Sequence, residues 1–350
     1  MTENLRQLAE AGVTIWRDDP ATAGPGHPLV SGLAIGVAAL LAELTGPQGG
    51  AGLAGADGDV DDAVRGAAAG VAQRAADALR PRYDASGGRD GLVSLEIDPR
   101  LADDPDGTVA EARRITELVD RPNLLLAVPA TAAAPTAVTA LLAEGIGVNV
   151  TQVYAPAQVR SVLDAVREGL TAAEGFPPAI VSVPVADVDT EVDKRLWAIG
   201  TDGSARLRGT AALAGARMAF AAFENALRVR GWTDLTALGS PRPRLAWTST
   251  QVRDPYYLET RYVDELVAPG VLTVLTAATF AAVVEQSEVR GDTVHGSYED
   301  AHGAVERLTS IGIDHDDVHR VLREKANARA TTAWLRLRDT VAAAQRQPVG

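Results

Sequence analysis

The feature that most constrains this chain is its rhythm: eight short aliphatic runs, each followed by a longer amphipathic or alanine-rich stretch. The runs are Val13–Trp16, Leu33–Ala38, Leu92–Ile97, Leu124–Val128, Val148–Val153, Ile180–Val185, Leu245–Thr248 and Val271–Leu275. Several are almost uninterrupted in Val, Ile and Leu, as strands covered on both faces are. Between them lie helical patterns such as Gly107–Val119 and Ala157–Leu170. Eight strands with helical crossovers predict an α/β fold, a single (β/α)8 TIM barrel, with an open doubly wound sheet as the competitor. No composition shift marks a second domain, so residues 1–350 are expected to form one barrel. A Gly-rich, aperiodic stretch at 45–58 is expected as a flexible loop, and a helix at about 315–345 ends the chain.

Composition narrows the function classes. The chain has no cysteine, which excludes disulfides, thiolate nucleophiles and Cys-based metal sites. A net charge of −13 argues against nucleic acid as a partner, because phosphate backbones attract the opposite sign. Leu124 to Ala143 carries no charge over a length that could span a bilayer, but Pro129, Pro135 and three threonines make a strand, turn and helix the better reading. The N-terminus has no basic stretch before an apolar one, so no signal peptide is read there. A cytoplasmic protein working on a small molecule is the expectation, with a homodimer left open and no membrane partner.

Polar residues gather where a barrel would need them. Asp18 and Asp19 follow the first run, Glu96 ends the third, and Asn149 and Thr151 lie within the fifth. Ser182 lies on the sixth with Asp187 just beyond it, and Ser249 and Arg253 follow the seventh. Barrel active sites form at the carboxyl ends of strands. Loops are polar in any case, so for any one residue a merely structural role stands at even odds. Glu96 and Thr151 weigh more, because each interrupts an apolar run where a polar group is costly to bury.

Three other motifs carry less. Gly50–Gly55 matches G-x-G-x-x-G but follows no strand and precedes four aspartates, which would repel a pyrophosphate. His315 and His319 have a metal-compatible spacing, yet Asp314 reads better as a helix cap with acidic residues in the first turn. Asp187, Asp189, Glu191 and Asp193 could hold a hard cation, although a solvated helix start explains them. No metal and no cofactor are expected.

Several stretches then resemble the transaldolase family, the actinobacterial type in particular, over nearly the whole chain. They include AGVTIWRDD at 11–19, GLVSLEIDPRLADD at 91–104, VDRPNLLLAVPAT at 119–131, EGIGVNVT at 144–151, VDTEVDKRL at 188–196, YVDELVAPG at 262–270 and GDTVHGS at 291–297. The resemblance implies a (β/α)8 barrel that transfers a dihydroxyacetone unit between phosphorylated sugars. The implied route is a Schiff base on a lysine, with an aspartate, a glutamate and a threonine-held water moving protons. Asp18, Glu96 and Thr151 match those catalytic positions; Asn149, Ser182, Ser249 and the basic Arg253 match substrate positions.

Three departures shape the functional expectation. The family lysine sits in a pattern like LLIKIPAT, whereas this chain reads LLLAVPAT and places Ala127 there. The T-T-N-P turn after the second strand, whose asparagine helps position substrate in the family, is replaced by Ala38-Ala39-Leu40-Leu41, which would put Leu40 at the mouth, and a phosphate-binding arginine after the sixth strand corresponds to Asp187. Only two lysines exist, Lys194 and Lys325, so 33 − 2 = 31 basic residues are arginine. Neither lysine follows a predicted strand end. Without the amine the covalent electron sink is gone, and Asp187 reverses a local charge. These changes predict a repurposed, non-covalent acid/base enzyme of lyase, cyclase or isomerase type, using an ionised Asp18 and a desolvated Glu96 on a non-phosphorylated carbonyl compound, as in a biosynthetic route. A silent barrel that binds a ligand or partner is the alternative; a transaldolase with a relocated lysine is the third reading.

Overall fold

A computed structural model describes residues 3–19, 27–46 and 59–346. Eight parallel strands close on themselves in chain order: β1 Thr14–Arg17, β2 Val30–Ile35, β3 Leu92–Glu96, β4 Leu124–Pro129, β5 Val148–Thr151, β6 Ala179–Pro184, β7 Arg244–Thr248 and β8 Leu272–Leu275. β1 pairs with both β2 and β8, which completes the cylinder and excludes the open sheet. The alternation of side chains then separates two cores. Outward residues join the helices in the main apolar cluster, while Trp16, Leu92, Leu125, Ile180, Ala246, Leu272 and Val274 fill the interior. The Trp16 indole has the tightest fit. A β-carbon built on Gly32 would lie 2.3 Å from its Cε2, so β2 needs a glycine there to admit the ring.

The uncharged stretch from Leu124 to Ala143 is β4, a turn and the helix Ala134–Ala143. Among the described residues no helix is long and apolar enough to cross a membrane. β2 ends earlier than its apolar run suggests. Gly36 caps the helix Val37–Thr45, and an unbroken apolar sequence carries no mark of where strand becomes helix. Thr45 therefore ends a helix rather than opening a loop, and residues 47–58, including the Gly50–Gly55 motif, lie outside the described residues.

The C-terminal helix, His315–Gln345, has 31 residues, which at 1.5 Å each is about 46 Å. Asp314 caps it by accepting hydrogen bonds from the Asp316 and Asp317 N–H groups. It first runs antiparallel to the helix Ala186–Ile199 that follows β6. Asp317 pairs with Arg195, Lys325 with Glu191, and Arg329 with Asp187. It then packs against the helix after β2 and the 3-10 turn Pro99–Leu101 after β3. Since β2 and β6 lie on opposite sides of an eight-stranded barrel, this helix crosses the carboxyl end of the cylinder.

Candidate active site at the barrel mouth

Strand parity decides which side chains meet inside. On β3, Glu96 shares the inward parity of Leu92 and Ser94; on β4, Ala127 shares that of Leu125. Register then places Glu96 beside Ala127, Ala127 beside Asn149, and Pro129 beside Thr151. Ser182 is two residues beyond the interior Ile180, and Asp18 two beyond Trp16. Thus Asp18, Glu96, Ala127, Asn149, Thr151 and Ser182 all belong to the carboxyl end of the inner face.

The floor of this mouth is a hydrogen-bonded strip. The Asn149 side-chain amide donates to Ser94 Oγ at 3.0 Å, and Ser182 Oγ donates to Asn149 Oδ1 at 2.7 Å. All three groups are buried, so each satisfies a polar atom the others would otherwise leave unpaired. Ala127 lies on the strand between Glu96 and Asn149 and contributes only a methyl group.

Above the floor stands Glu96. Its Oε2 accepts a hydrogen bond from the Val37 N–H at 2.9 Å, at the start of the helix after β2. Burial pushes its pKa up, and the Val37 hydrogen bond opposes that shift. Gly36 lies so close that a β-carbon there would meet Glu96 Oε2 at 3.2 Å. Asp18 does not supply the expected contrast of a freely ionised partner. Burial raises its pKa as well, against the pull of its own backbone N–H and of Arg17. Thr151 is half-buried, and its hydroxyl has no hydrogen-bond partner among the described residues.

Backbone strain borders the mouth. Gln152 and Ser249, directly after β5 and β7, have φ of 60° and 51°, in the left-handed region that costs a side chain energy. Ser249 holds its place by accepting the Ala186 N–H at 2.9 Å, which fastens it to the start of the helix after β6.

The rim differs from the sequence expectation. Asp187 is not an isolated reversed charge: Arg253 Nη2 lies 2.7 Å from its Oδ1, and Arg329 Nη2 lies 3.5 Å from its Oδ2. Arg323 also acts on the neighbouring Tyr154, with Arg253, Arg329 and Asp187. Two guanidinium groups therefore face the Asp187 carboxylate, one on each oxygen. The rest of the acidic run is not a solvated helix start either. Asp189 accepts from the Ala212 N–H and the Tyr262 hydroxyl, Asp193 from the Gly209 N–H, and Glu191 pairs with Arg195 and Lys325. All four acids are buried with partners, so they tie helices together.

Leu40 is not brought to the mouth. It is fully buried in the main core on the helix Val37–Thr45, and at that corner Gly36 and Val37 are the residues that meet Glu96. His319 stacks on Tyr154 with His315 tilted against it, burial drives the His319 pKa down to about 4, and no metal-binding group of three appears among the described residues. Lys325 is held by Glu191, whereas Lys194 is exposed and lines a cavity of about 550 Å³ with Arg253, Asp193 and Tyr257. Both sit on helices outside the barrel. Sequence reasoning missed Ser94, Gly36, Val37, Arg323 and Arg329. Ser94 was readable as the residue two before Glu96, but nothing local marks Arg329.

Comparison with known proteins agrees with this arrangement. The Transaldolase/Fructose-6-phosphate aldolase family matches residues 50–341. The chain belongs to the transaldolase family. It is 40% identical to "Transaldolase 1" of Streptomyces avermitilis, over 98% of this chain and 96% of that protein. It is 40% identical to "Transaldolase" of Thermobifida fusca over 98% of both, and 37% identical to "Transaldolase" of Mycolicibacterium smegmatis over 96% of both. This corrects the expectation of a repurposed non-covalent enzyme for a non-phosphorylated metabolite. These three relatives carry the name of the family activity, and the charge reversal that argued against a phosphate is offset at the rim by Arg253 and Arg329.

Proposed function

We propose that this member of the transaldolase family works on sugar phosphates, transferring a three-carbon ketol unit from a ketose phosphate to an aldose. The observation that carries the reading is at the rim, where Asp187 is matched by two arginines, Arg253 and Arg329. Guanidinium groups at the edge of a barrel mouth suit a phosphate, which they can hold through paired N–H donors. Below them, Glu96 and Asp18 are carboxyl groups that burial brings toward neutrality, where proton exchange with a substrate hydroxyl is most effective. Thr151 offers an unpaired hydroxyl to hold a water, and the Ser94–Asn149–Ser182 strip offers a polar floor to the sugar.

Position 127 supplies no nucleophile, because an alanine methyl cannot form an iminium. A covalent route through a side-chain amine has only Lys194 and Lys325 to draw on. The test is a coupled assay with fructose 6-phosphate as donor and erythrose 4-phosphate as acceptor, alongside borohydride trapping and peptide mapping. Transfer is expected, and any trapped adduct has to map to one of those two lysines. No transfer at micromolar enzyme overturns the proposal.

A further inference from the structure

Two unfavourable features coincide at Gln152, the first residue beyond β5. Its φ of 60° lies in the left-handed region. Its side-chain Oε1 is buried, and the amide makes no hydrogen bond to any other described residue. Each feature opposes folding, and a buried acceptor without a partner calls for a reason. The backbone is held in place from both sides. The Thr151 carbonyl accepts the Ala130 N–H at 2.8 Å, and the Val153 N–H donates to the Ser182 carbonyl at 3.1 Å. Strand alternation shows where the side chain goes. Val148 and Val150 point outward into the main core, and so does Val153, three residues after Val150. A regular strand would have turned outward again at 152. The alternation therefore slips by one, and Thr151 and Gln152, both half-buried between buried neighbours, share the mouth side. A primary amide carries one acceptor oxygen and two N–H donors, while a hydroxyl both donates and accepts. Two adjacent hydroxyls therefore satisfy the amide whichever way it is turned.

We propose that Gln152 is a specificity-determining residue, whose side-chain amide binds adjacent hydroxyls of the sugar substrate beside Thr151. This rests on the sugar-phosphate reading above and names how the carbon chain, rather than the phosphate, is recognised. The carbonyl left unpaired in the free protein gains its partner when the sugar binds, and a substrate without that hydroxyl leaves it orphaned. The strained backbone keeps the amide on the mouth side, where a regular strand would turn it toward the helices.

Calorimetric titration and thermal melting of the full-length chain test this, with fructose 6-phosphate and its 3-deoxy and 4-deoxy analogues as probes. The wild type is expected to bind fructose 6-phosphate about 10-fold more tightly than at least one analogue. Gln152→Leu should weaken fructose 6-phosphate binding by about 10-fold and lose that preference. Its melting temperature should equal or exceed the wild-type value, because the orphan acceptor leaves with the amide. Gln152→Asn keeps an amide and should retain part of the preference. Wild-type discrimination in Gln152→Leu overturns this inference and leaves the sugar-phosphate reading intact, as does a wild type that binds all three probes equally. A fall of several degrees in the melting temperature of Gln152→Leu also overturns it, since the amide would then be holding the fold. A wild type that does not bind fructose 6-phosphate overturns both.

Discussion

The floor and the rim of the mouth solve opposite problems with the same kind of residue. At the floor, polar groups are few, buried and mutually satisfied: Ser94, Asn149 and Ser182 form one chain of hydrogen bonds above a packed Trp16. At the rim, charges are many and half-exposed, and Asp187 gathers arginines from two distant segments. The floor is fixed by packing and desolvation, where each lost atom leaves a neighbour unpaired. The rim is fixed by ion pairs in contact with water, where single contacts contribute little to stability. Substitutions at the floor should therefore register in folding, and substitutions at the rim in ligand affinity.

The strongest challenge to that division lies just beneath the floor. Gly32→Ala drives a methyl group into the Trp16 ring, which is fully buried and cannot turn aside. We expect a loss of about 3 kcal/mol in denaturant unfolding, the upper end of ordinary overpacking. A change under about 1 kcal/mol would show that the interior yields more easily than its packing implies. Asn149→Ala comes next. It strands the Ser94 and Ser182 hydroxyls in a buried setting and should cost about 2 kcal/mol. Asn149→Asp should be worse at neutral pH, since a buried carboxylate would face Ser94 without a donor amide.

Glu96 tests the boundary between the two regions through pH. Its folded pKa lies above the unfolded value, so folding favours the protonated form. The stability this contributes is present in full below the ordinary glutamate value of 4.5 and is lost as pH rises through the folded pKa. Glu96→Gln removes the titration. The stability difference, variant minus wild type, should therefore grow with pH above that value and then level off. A flat difference between pH 4 and pH 9 would remove the case for a desolvated carboxyl. The smallest effect is expected at the rim. Arg329→Ala should change unfolding free energy by less than about 0.5 kcal/mol.

Much of the barrel was legible because it depends on periodicity. All eight strands overlap aliphatic runs, and the last helix starts at Asp314, the cap read for it, whereas the cap at Asp104 was not read. Boundaries slipped where the run continued across a change of structure. Leu33 to Leu41 is apolar throughout, so the turn at Gly36 could not be seen, and Leu40 was placed at the site when it belongs to the core. The acidic run after β6 misled for another reason. Sequence shows charge but not its partners, and each of those acids is answered by a group far along the chain.

By itself the sequence determined three things. The spacing of apolar runs set eight strands with helical crossovers; the polar residues at the ends of those runs marked the candidate site; and alanine at 127 with two lysines in all set the limits on covalent chemistry. Tertiary structure alone decided the electrostatics of the rim. Charge at a site is a sum over space, and Coulomb attraction between Asp187, Arg253 and Arg329 operates over a few ångströms regardless of how much chain lies between them.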